Sequence, residues 1–345
     1  MPGEELTERE RQVLQAVVQA YIETAEPAGS RTLAKTFPLG VSAATIRNTM
    51  SDLEERGYLY HPHTSAGRVP TDRAYRVYVD RVFWADQIAQ VDRDRLRREL
   101  SGDGTAIENI VRKAAQVLGV LTQELGLAVA PSLAGAVLDR LELLQVSSER
   151  LLIVLLLRAS AARTIFLEVS GHLPPDVVQS VSGVLNERLV GLSLQEIRRT
   201  FAERLRDAGG GASEKELLNI FVEEADQLFD VAGGGEQEVV LGSAQLLAEQ
   251  PEFHSNDRMR ALLELTERRD FLRRALLARS TPGLNVTIGG ENLDPTLSAF
   301  TIVTSTYRSG SLSGVIGVIG PTRMPYQKVI SLVQYTSRLM GDLTP

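Results

Sequence analysis

The chain has 345 residues, of which 43% are hydrophobic, and its formal net charge is −7; at roughly 150 residues per domain, this length predicts two or three domains with real cores. The absence of cysteine excludes disulfides and thiolate metal sites, and the longest apolar run, at 151–157, is far shorter than the ~20 residues of a membrane helix. Because no basic segment followed by an apolar core opens the sequence, we predict a cytoplasmic protein with no signal peptide and no membrane partner.

Three helices are predicted within the first 57 residues. Thr7 and Glu10 have the spacing of a capping box, and apolar residues then recur at helical intervals from 13 to 22. Ser30 is predicted to cap a short second helix over 31–37, and Ser42 to cap a third helix that runs to Arg56. Gly57 supplies the left-handed residue that ends the third helix.

The segment after Gly57 is predicted to be a hairpin followed by a helix. Two short extended pieces, 58–61 and 68–70, flank a loop that contains two histidines, and Asp72 can cap the next helix. Residues 86–104 are polar and rich in charge, as in a connecting arm.

The remaining chain alternates between helical and strand patterns. A helical pattern covers 105–125, strands are predicted at 138–146, 151–157 and 164–169, and 175–275 is mostly helical. Strand character returns at 299–306 and 314–319, and a last helix spans 325–341. Two arrangements remain open: separate small domains in series, or one sheet domain interrupted by an insertion.

The second and third helices are joined by a tight turn, which predicts a helix-turn-helix. In the third helix Ala43, Ile46, Met50 and Leu53 share an inward face. The residues predicted to point outward are Ala44, Thr45, Arg47, Asn48 and Ser51. Arginine can form paired hydrogen bonds with guanine and asparagine with adenine, and recognition helices read bases with their N-terminal residues. The pattern therefore predicts DNA binding, although helix-turn-helices also occur in proteins that bind no DNA.

The hairpin and the start of the second helix are predicted to add backbone contacts to the same duplex. Charge supports this, because residues 28–82 hold eight basic and five acidic side chains in an otherwise acidic chain. The predicted DNA-binding residues are Ser30, Arg31, Ser42, Ala44, Thr45, Arg47, Asn48, His63, Thr64, Ser65 and Arg68.

No other chemistry is predicted. His61 and His63 lie two apart with no third ligand nearby, so a metal site is not expected. The glycine run 209–211 lacks the Gly-Lys-Ser/Thr of a phosphate loop. No nucleophile stands in a motif with a base, so we predict no catalytic residue, no cofactor and no enzyme activity.

Several segments resemble the heat-inducible transcription repressor HrcA family. They are YIETAEPAGSRTLAKTFPLGVSAATIRNTMSDLEERGYL, HPHTSAGRVPT and YRVYVD near the start, and GVIGVIGPTRMPYQKVI near the end. Ala28 and Ala74 stand where the family more often has Val and Gly, and 175–275 matches weakly.

The resemblance implies a fold and a function. It implies an α+β multidomain protein with an N-terminal winged helix-turn-helix and a GAF-like α/β domain interrupted by a mostly helical inserted dimerisation domain. It also implies a homodimer that binds an inverted-repeat (CIRCE) operator of chaperone operons of the groE and dnaK type and depends on the chaperonin GroEL. The expected boundaries are 1–85 for the winged helix, 86–104 for a linker, 105–174 and 276–345 for the GAF-like domain, and 175–275 for the insertion.

Two rival hypotheses stay open. The first is a winged-helix regulator controlled by a small effector bound in the GAF-like domain. The second is an enzyme or scaffold that uses the winged helix for protein contact, and it predicts binding that ignores Arg47 and Asn48.

Overall fold

The chain is a mixed helix-and-sheet protein. The computed structural model describes residues 5–63, 66–82, 88–101, 107–131, 135–158, 161–169, 171, 173–229, 239–279, 281–309 and 312–343. The first of two compact units comprises Met1–Ala128, Val240–Thr306 and Ile316–Leu339, and the second comprises Val129–Val239, Tyr307–Val315 and Met340–Pro345. Within the described ranges, no helix combines the length and the apolar character needed to cross a bilayer.

The first 82 residues form what we call the N-terminal module. Its elements in chain order are α1 (Glu8–Thr24), α2 (Ser30–Thr36), α3 (Ala43–Glu55), β1 (Leu59–Tyr60), β2 (Val69–Pro70) and α4 (Asp72–Val82). Helices α1 and α2 both pack against α3. The inward face predicted for α3 is confirmed for Ile46, Met50 and Leu53, which are buried, whereas Ala43 is only half-buried.

Four helix caps were predicted in this module, and those at Thr7 and Ser42 are confirmed. The Thr7 hydroxyl accepts a hydrogen bond from the Glu10 N–H at 3.3 Å, and the Glu10 carboxylate accepts one from the Thr7 N–H at 2.7 Å. Ser42 accepts from the Thr45 N–H at 3.1 Å at the start of α3. The cap predicted for Ser30 is wrong, because Gly29 holds that position in extended backbone and Ser30 is already the first helical residue. The cap predicted for Asp72 is also wrong, because Asp72 is already the first residue of α4.

The charged segment predicted as a connecting arm contains a helix. Its residues 90–100 form α5 (Gln90–Leu100), which packs against α6 (Ile107–Thr122). Leu96 and Leu100 are buried although their neighbours are charged. Two apolar residues at helical spacing are therefore enough to dock a helix that is otherwise polar.

The chain also forms a five-stranded sheet, most of whose residues belong to the first unit. Its strands in chain order are β3 (Leu125–Val129), β7 (Val239–Leu241), β8 (Leu284–Ile288), β9 (Phe300–Ser309) and β10 (Leu312–Pro321), and their order in the sheet is β7-β3-β10-β9-β8. The strands predicted at 299–306 and 314–319 are confirmed as β9 and β10, whereas β3, β7 and β8 were not predicted. Before β8 the chain forms α11 (Gln245–Ala248), α12 (Asn256–Glu267) and α13 (Arg269–Leu277).

The last helix, α14 (Tyr326–Leu343), packs against β9. The Ser337 hydroxyl donates to the Thr306 carbonyl at 2.8 Å, and it accepts from the Ser305 hydroxyl at 3.0 Å. These buried polar groups are thereby satisfied inside an otherwise apolar contact.

The second unit is a three-stranded antiparallel sheet with helices. The strands are β4 (Leu138–Ser147), β5 (Arg150–Leu157) and β6 (Ala161–Glu168), followed by α7 (Pro175–Leu189), α8 (Leu194–Leu205), α9 (Ala212–Glu223) and α10 (Ala225–Leu228). One hydrophobic cluster joins the strands to these helices. The predicted strands and the helical character of the following segment are both confirmed.

Strand order shows an interrupted sheet, but it is the five-stranded sheet, and the predicted strands at 138–169 do not belong to it. The chain leaves the five-stranded sheet after β3, builds the three-stranded sheet and its helices, and returns at β7. The strands at 138–168 therefore pack with the helices that follow them in sequence, and they form a sheet separate from β9 and β10.

Candidate nucleic-acid interface

The outer face of α3 is exposed at Arg47 and Asn48, the two residues that the sequence predicted to read base edges. Ala44, Arg47 and Asn48 are exposed, and Thr45 is half-buried because its hydroxyl lies 2.9 Å from that of Ser42. Neither Arg47 nor Asn48 forms a side-chain hydrogen bond or ion pair with any residue in the described part of the chain. Their donors are therefore available to an external partner.

Most other arginines of the module are engaged inside the protein. Arg56 pairs with Glu10 at 2.7 Å and Arg81 with Glu8 at 3.6 Å, while the Arg73 guanidinium lies 4.3 Å from the ring centroid of Tyr58. By contrast, Arg31, Lys35 and Arg47 are exposed and pair with no acidic side chain of the described residues. Near the predicted reading residues, the positive charge that remains available lies on α2 and α3, and Arg9 on α1 is likewise exposed.

The hairpin beside α3 is short and antiparallel. Leu59 pairs with Pro70 and Tyr60 with Val69, and an isolated bridge joins Ala28 to Arg68. At the tip His63 is exposed and its carbonyl accepts from the Ala66 N–H at 3.0 Å. The predicted contacts Thr64 and Ser65 lie outside the described residues.

Arg68 is not placed as the sequence led us to expect. Its side chain is only 12% exposed, and its guanidinium pairs with Glu54 near the end of α3 at 2.8 Å. The other Glu54 oxygen lies 2.8 Å from Nδ1 of His61. One carboxylate on α3 thus contacts both arms of the hairpin. Arg68 forms an internal ion pair with it, whereas the sequence predicted that Arg68 contacts a phosphate.

Replacing Glu54 with glutamine should therefore destabilise the module. The change leaves the nearly buried Arg68 guanidinium without its counter-charge, so we expect a loss of about 1–2 kcal/mol in the free energy of unfolding. The matched control is Glu55→Gln, because Glu55 is adjacent and exposed, and its change should stay within about 0.5 kcal/mol. Urea titration of both variants measures this, and equal changes would show that Glu54 does not hold the hairpin.

Ser30 and Arg31 lie together at the beginning of α2. Ser30 is half-buried and Arg31 is exposed. Both belong to the helix that packs on α3, so they share a rigid body with Arg47. The structure thus brings the predicted residues of α2 and α3 into one module, together with His63 on the hairpin.

Two features of this site were not found from the sequence. Thr49 was not assigned to the inward face, yet it is buried and donates to the Thr45 carbonyl at 3.1 Å. The pairing of Glu54 with the hairpin has no local signature, because it depends on how the hairpin folds back.

No three histidine or acidic side chains in the described ranges come together as a metal ion would require.

Comparison with known proteins gives the class of this chain. Residues 108–330 match the family model described as "HrcA protein C terminal domain". Proteins named "Heat-inducible transcription repressor HrcA" are 40% identical in Chlorobium phaeobacteroides (strain BS1), covering 99% of each chain, and 38% identical in Chlorobium luteolum, covering 97% of this chain and 96% of the relative.

A solved structure shares the fold. It is described as a hypothetical protein, and the match covers 99% of each chain with a TM-score of 0.69 at 23% identity. The family model and the near full-length relatives place the protein among the heat-inducible transcription repressors. The chain belongs to the HrcA family.

Proposed function

We propose that this chain is a sequence-specific DNA-binding repressor in which the N-terminal module is a winged helix and α3 is the recognition helix. The observation that carries the proposal is the exposed face of α3, where Arg47 and Asn48 have no partner among the described residues. Most arginines around them are paired internally, so this face has been left available. Guanine and adenine edges in the major groove are the partners that these two side chains fit.

Residues around α3 would hold the duplex by its backbone. Arg31 and Lys35 add exposed positive charge on α2, which suits phosphates. The proposed contacts are Ser30, Arg31, Ser42, Ala44, Thr45, Arg47, Asn48, His63, Thr64 and Ser65, with Arg68 fixing the hairpin against α3.

The operator would be an inverted repeat of the CIRCE type, bound by a homodimer. Each copy presents one recognition helix to one half-site, and a two-fold protein matches a two-fold sequence. Two modules with few base contacts each gain affinity because the second binds at high effective concentration.

The second unit offers a surface for this dimer. Helix α7 packs on β4, and the alternate β5 residues Leu151, Ile153 and Leu155 are buried. The opposite face of the sheet is apolar yet open: Leu144 is 50%, Val146 is 52% and Phe166 is 63% exposed.

These exposed side chains form a continuous row across the sheet. In the strand register Leu144 lies opposite Leu152, and Leu152 lies opposite Phe166. We call this set the apolar sheet face (Leu144, Val146, Leu152 and Phe166). Such a row is unusual on a monomer surface and is typical of a protein interface, so we assign it to the second copy.

The family resemblance extends to domain organisation. We propose that the five-stranded sheet is the core of a GAF-like domain and that the three-stranded sheet with α7–α10 is the inserted dimerisation domain. The return of the chain to the five-stranded sheet at β7 supports an insertion between β3 and β7. In this proposal the strands at 138–168 belong to the insertion, whereas 105–174 was expected to be GAF-like.

Chaperonin control is the remaining part of the proposal. A domain is stable by only a few kcal/mol. If the repressor needs GroEL to reach its folded state, its active fraction falls when unfolded proteins occupy GroEL, so repression responds to the amount of unfolded protein. The test is an operator titration of purified protein across a heating series, with and without GroEL and ATP. We expect the active fraction to fall on heating and to be maintained by chaperonin.

Equal operator affinity in both arms at every temperature would contradict chaperonin control. A scrambled duplex is the control for specificity, and bovine serum albumin at equal mass replaces GroEL in the matched sample. Recovery of activity by a small-molecule extract in place of chaperonin would instead favour an effector bound in the GAF-like domain.

A further inference from the structure

The N-terminal module is tied to the rest of the first unit by charged side chains of α4. The Asp72 carboxylate accepts from the Gly290 N–H at 2.8 Å. One turn later, Arg76 donates to the Glu291 carboxylate through Nε at 2.7 Å and also through Nη2, and to the Val286 carbonyl at 2.6 Å. Both side chains thus reach the same segment, which consists of β8 and the turn after it.

A second anchor joins α1 to the rest of the first unit. Arg323, just after β10, donates through Nη1 to the Ile22 carbonyl near the end of α1 at 2.9 Å. The same guanidinium forms a two-point pair with Glu252, with Nη2 at 3.0 Å from Oε2. The Arg323 side chain is only 15% exposed, so water competes little for this contact.

The turn that receives Asp72 and Arg76 is itself held rigid. Asn292 is buried, and its Nδ2 donates to the carbonyls of Gly289, Leu297 and Phe300 at 3.0, 3.1 and 2.9 Å. Gly289 has φ +50°, and a Cβ built there would lie 2.1 Å from Oδ2 of Asp72. The turn is therefore shaped to admit the Asp72 carboxylate.

Electrostatics and packing reinforce both anchors. Hydrogen bonding to Glu291 raises the pKa of Arg76; although burial acts to raise the pKa of Glu291, its bonds from Arg76 and from the Ile288 N–H lower it. Between the anchors, the Tyr75 and Tyr326 rings lie 5.7 Å apart. Bidentate arginine–carboxylate pairs have a fixed geometry, so they constrain orientation as well as distance.

We propose that Asp72, Arg76 and Arg323 are positioning residues that set which spacing of operator half-sites the protein accepts. This inference rests on the proposed function, since it concerns the same DNA-binding module. None of the three residues lies on α3, and each acts by holding the module in one orientation.

The physical reason is the effect of a tether on two-site binding. A module on a flexible tether reaches half-sites over a range of separations, with an effective concentration that varies slowly with distance. A module held by two anchors presents α3 in one place, and a half-site moved by half a helical turn then faces away from it.

The first experiment measures the anchoring without DNA. The chain has no cysteine, so spin labels can be placed on cysteines introduced at Thr36 in α2 and Leu263 in α12, both exposed. We expect one narrow distance distribution in the labelled parent and a broad one after Arg76→Gln with Arg323→Gln. Arg81→Gln is the matched control, since Arg81 lies on the same helix and pairs with Glu8 within the module.

The second experiment measures spacing selectivity in the full-length protein. Operator duplexes with one to six base pairs added between the half-sites are titrated against the parent, Arg76→Gln, Arg323→Gln, the double variant and Arg81→Gln. We expect the parent and Arg81→Gln to lose at least about tenfold in affinity at half a turn of added DNA, and the double variant to lose less than about threefold. The affinity losses of the two single variants should lie between those of the parent and the double variant. The single variants also keep the test valid if the double variant does not fold.

The outcomes separate this inference from the proposed function. A parent that binds operator in preference to scrambled duplex, with variants that keep its spacing profile and its narrow label distance, overturns the inference alone. A parent that does not distinguish operator from scrambled duplex overturns the proposed function, and the role in spacing with it. Thermal melts of each variant exclude a loss caused by unfolding.

Discussion

Arg47→Ala should weaken binding to the inverted-repeat operator by about 1–3 kcal/mol per half-site and relax the base preference at the contacted position. The paired hydrogen bonds of a guanidinium to a guanine edge account for a loss of that size. Arg47 is exposed and pairs with no described acidic residue. Its replacement should therefore leave the free energy of unfolding and the melting temperature unchanged. Affinity for a scrambled duplex should fall only slightly, because one charge of the module is lost.

The matched control is Arg9→Ala. Arg9 is an exposed arginine of the same module, on α1, and its removal changes net charge by the same amount. Fluorescence anisotropy titrations on operator and scrambled duplexes, at two salt concentrations, separate base reading from charge. If Arg47→Ala bound both duplexes as the parent does, α3 would not be the recognition helix.

Phe166→Glu should convert the proposed dimer to monomers and reduce operator affinity by a factor of about 10²–10⁴. Phe166 stands on the apolar sheet face in register with Leu152 and Leu144, so a glutamate there would place an unpaired charge inside the contact. The side chain is 63% exposed, and the isolated fold should therefore tolerate the change. Each monomer would still bind one half-site weakly, which preserves specificity while affinity falls.

Val190→Glu is the control for this surface experiment. Val190 is an apolar residue at the end of α7 in the same unit, 41% exposed and outside the sheet. Sedimentation equilibrium at micromolar concentration gives the oligomeric state of both variants, and Leu144→Glu provides an independent change in the same row. A Phe166→Glu protein that remained dimeric with parental operator affinity would assign dimerisation to another surface.

The local features of the N-terminal module could be predicted from the sequence. Thr7, Ser42 and Gly57 act within a few residues of themselves, so the caps and the left-handed end of α3 follow from short patterns. The exposure of Arg47 and Asn48 follows in the same way, because helical periodicity places them opposite the buried Ile46.

Contacts between distant parts of the chain could not be predicted in this way. Strand β3 was missed because its pairing with β10 joins segments far apart in sequence, and its short apolar run continues the helical pattern before it. The role of Arg68 was missed for a related reason, since its partner Glu54 lies on another element. Alternate residues of β5 remain half-exposed, and the uniformly apolar run LLIVLLL has no alternation from which this difference between the two faces could be predicted.

Methylation interference at guanine N7 on the operator tests the central claim most directly, because N7 lies in the major groove where α3 would bind. With the parent protein we expect two clusters of interfering guanines, related by inversion and separated by a multiple of roughly 10 base pairs. With Arg47→Ala one guanine in each cluster should cease to interfere. An identical pattern for the parent and Arg47→Ala, or no interference in the major groove, would contradict base reading by this helix.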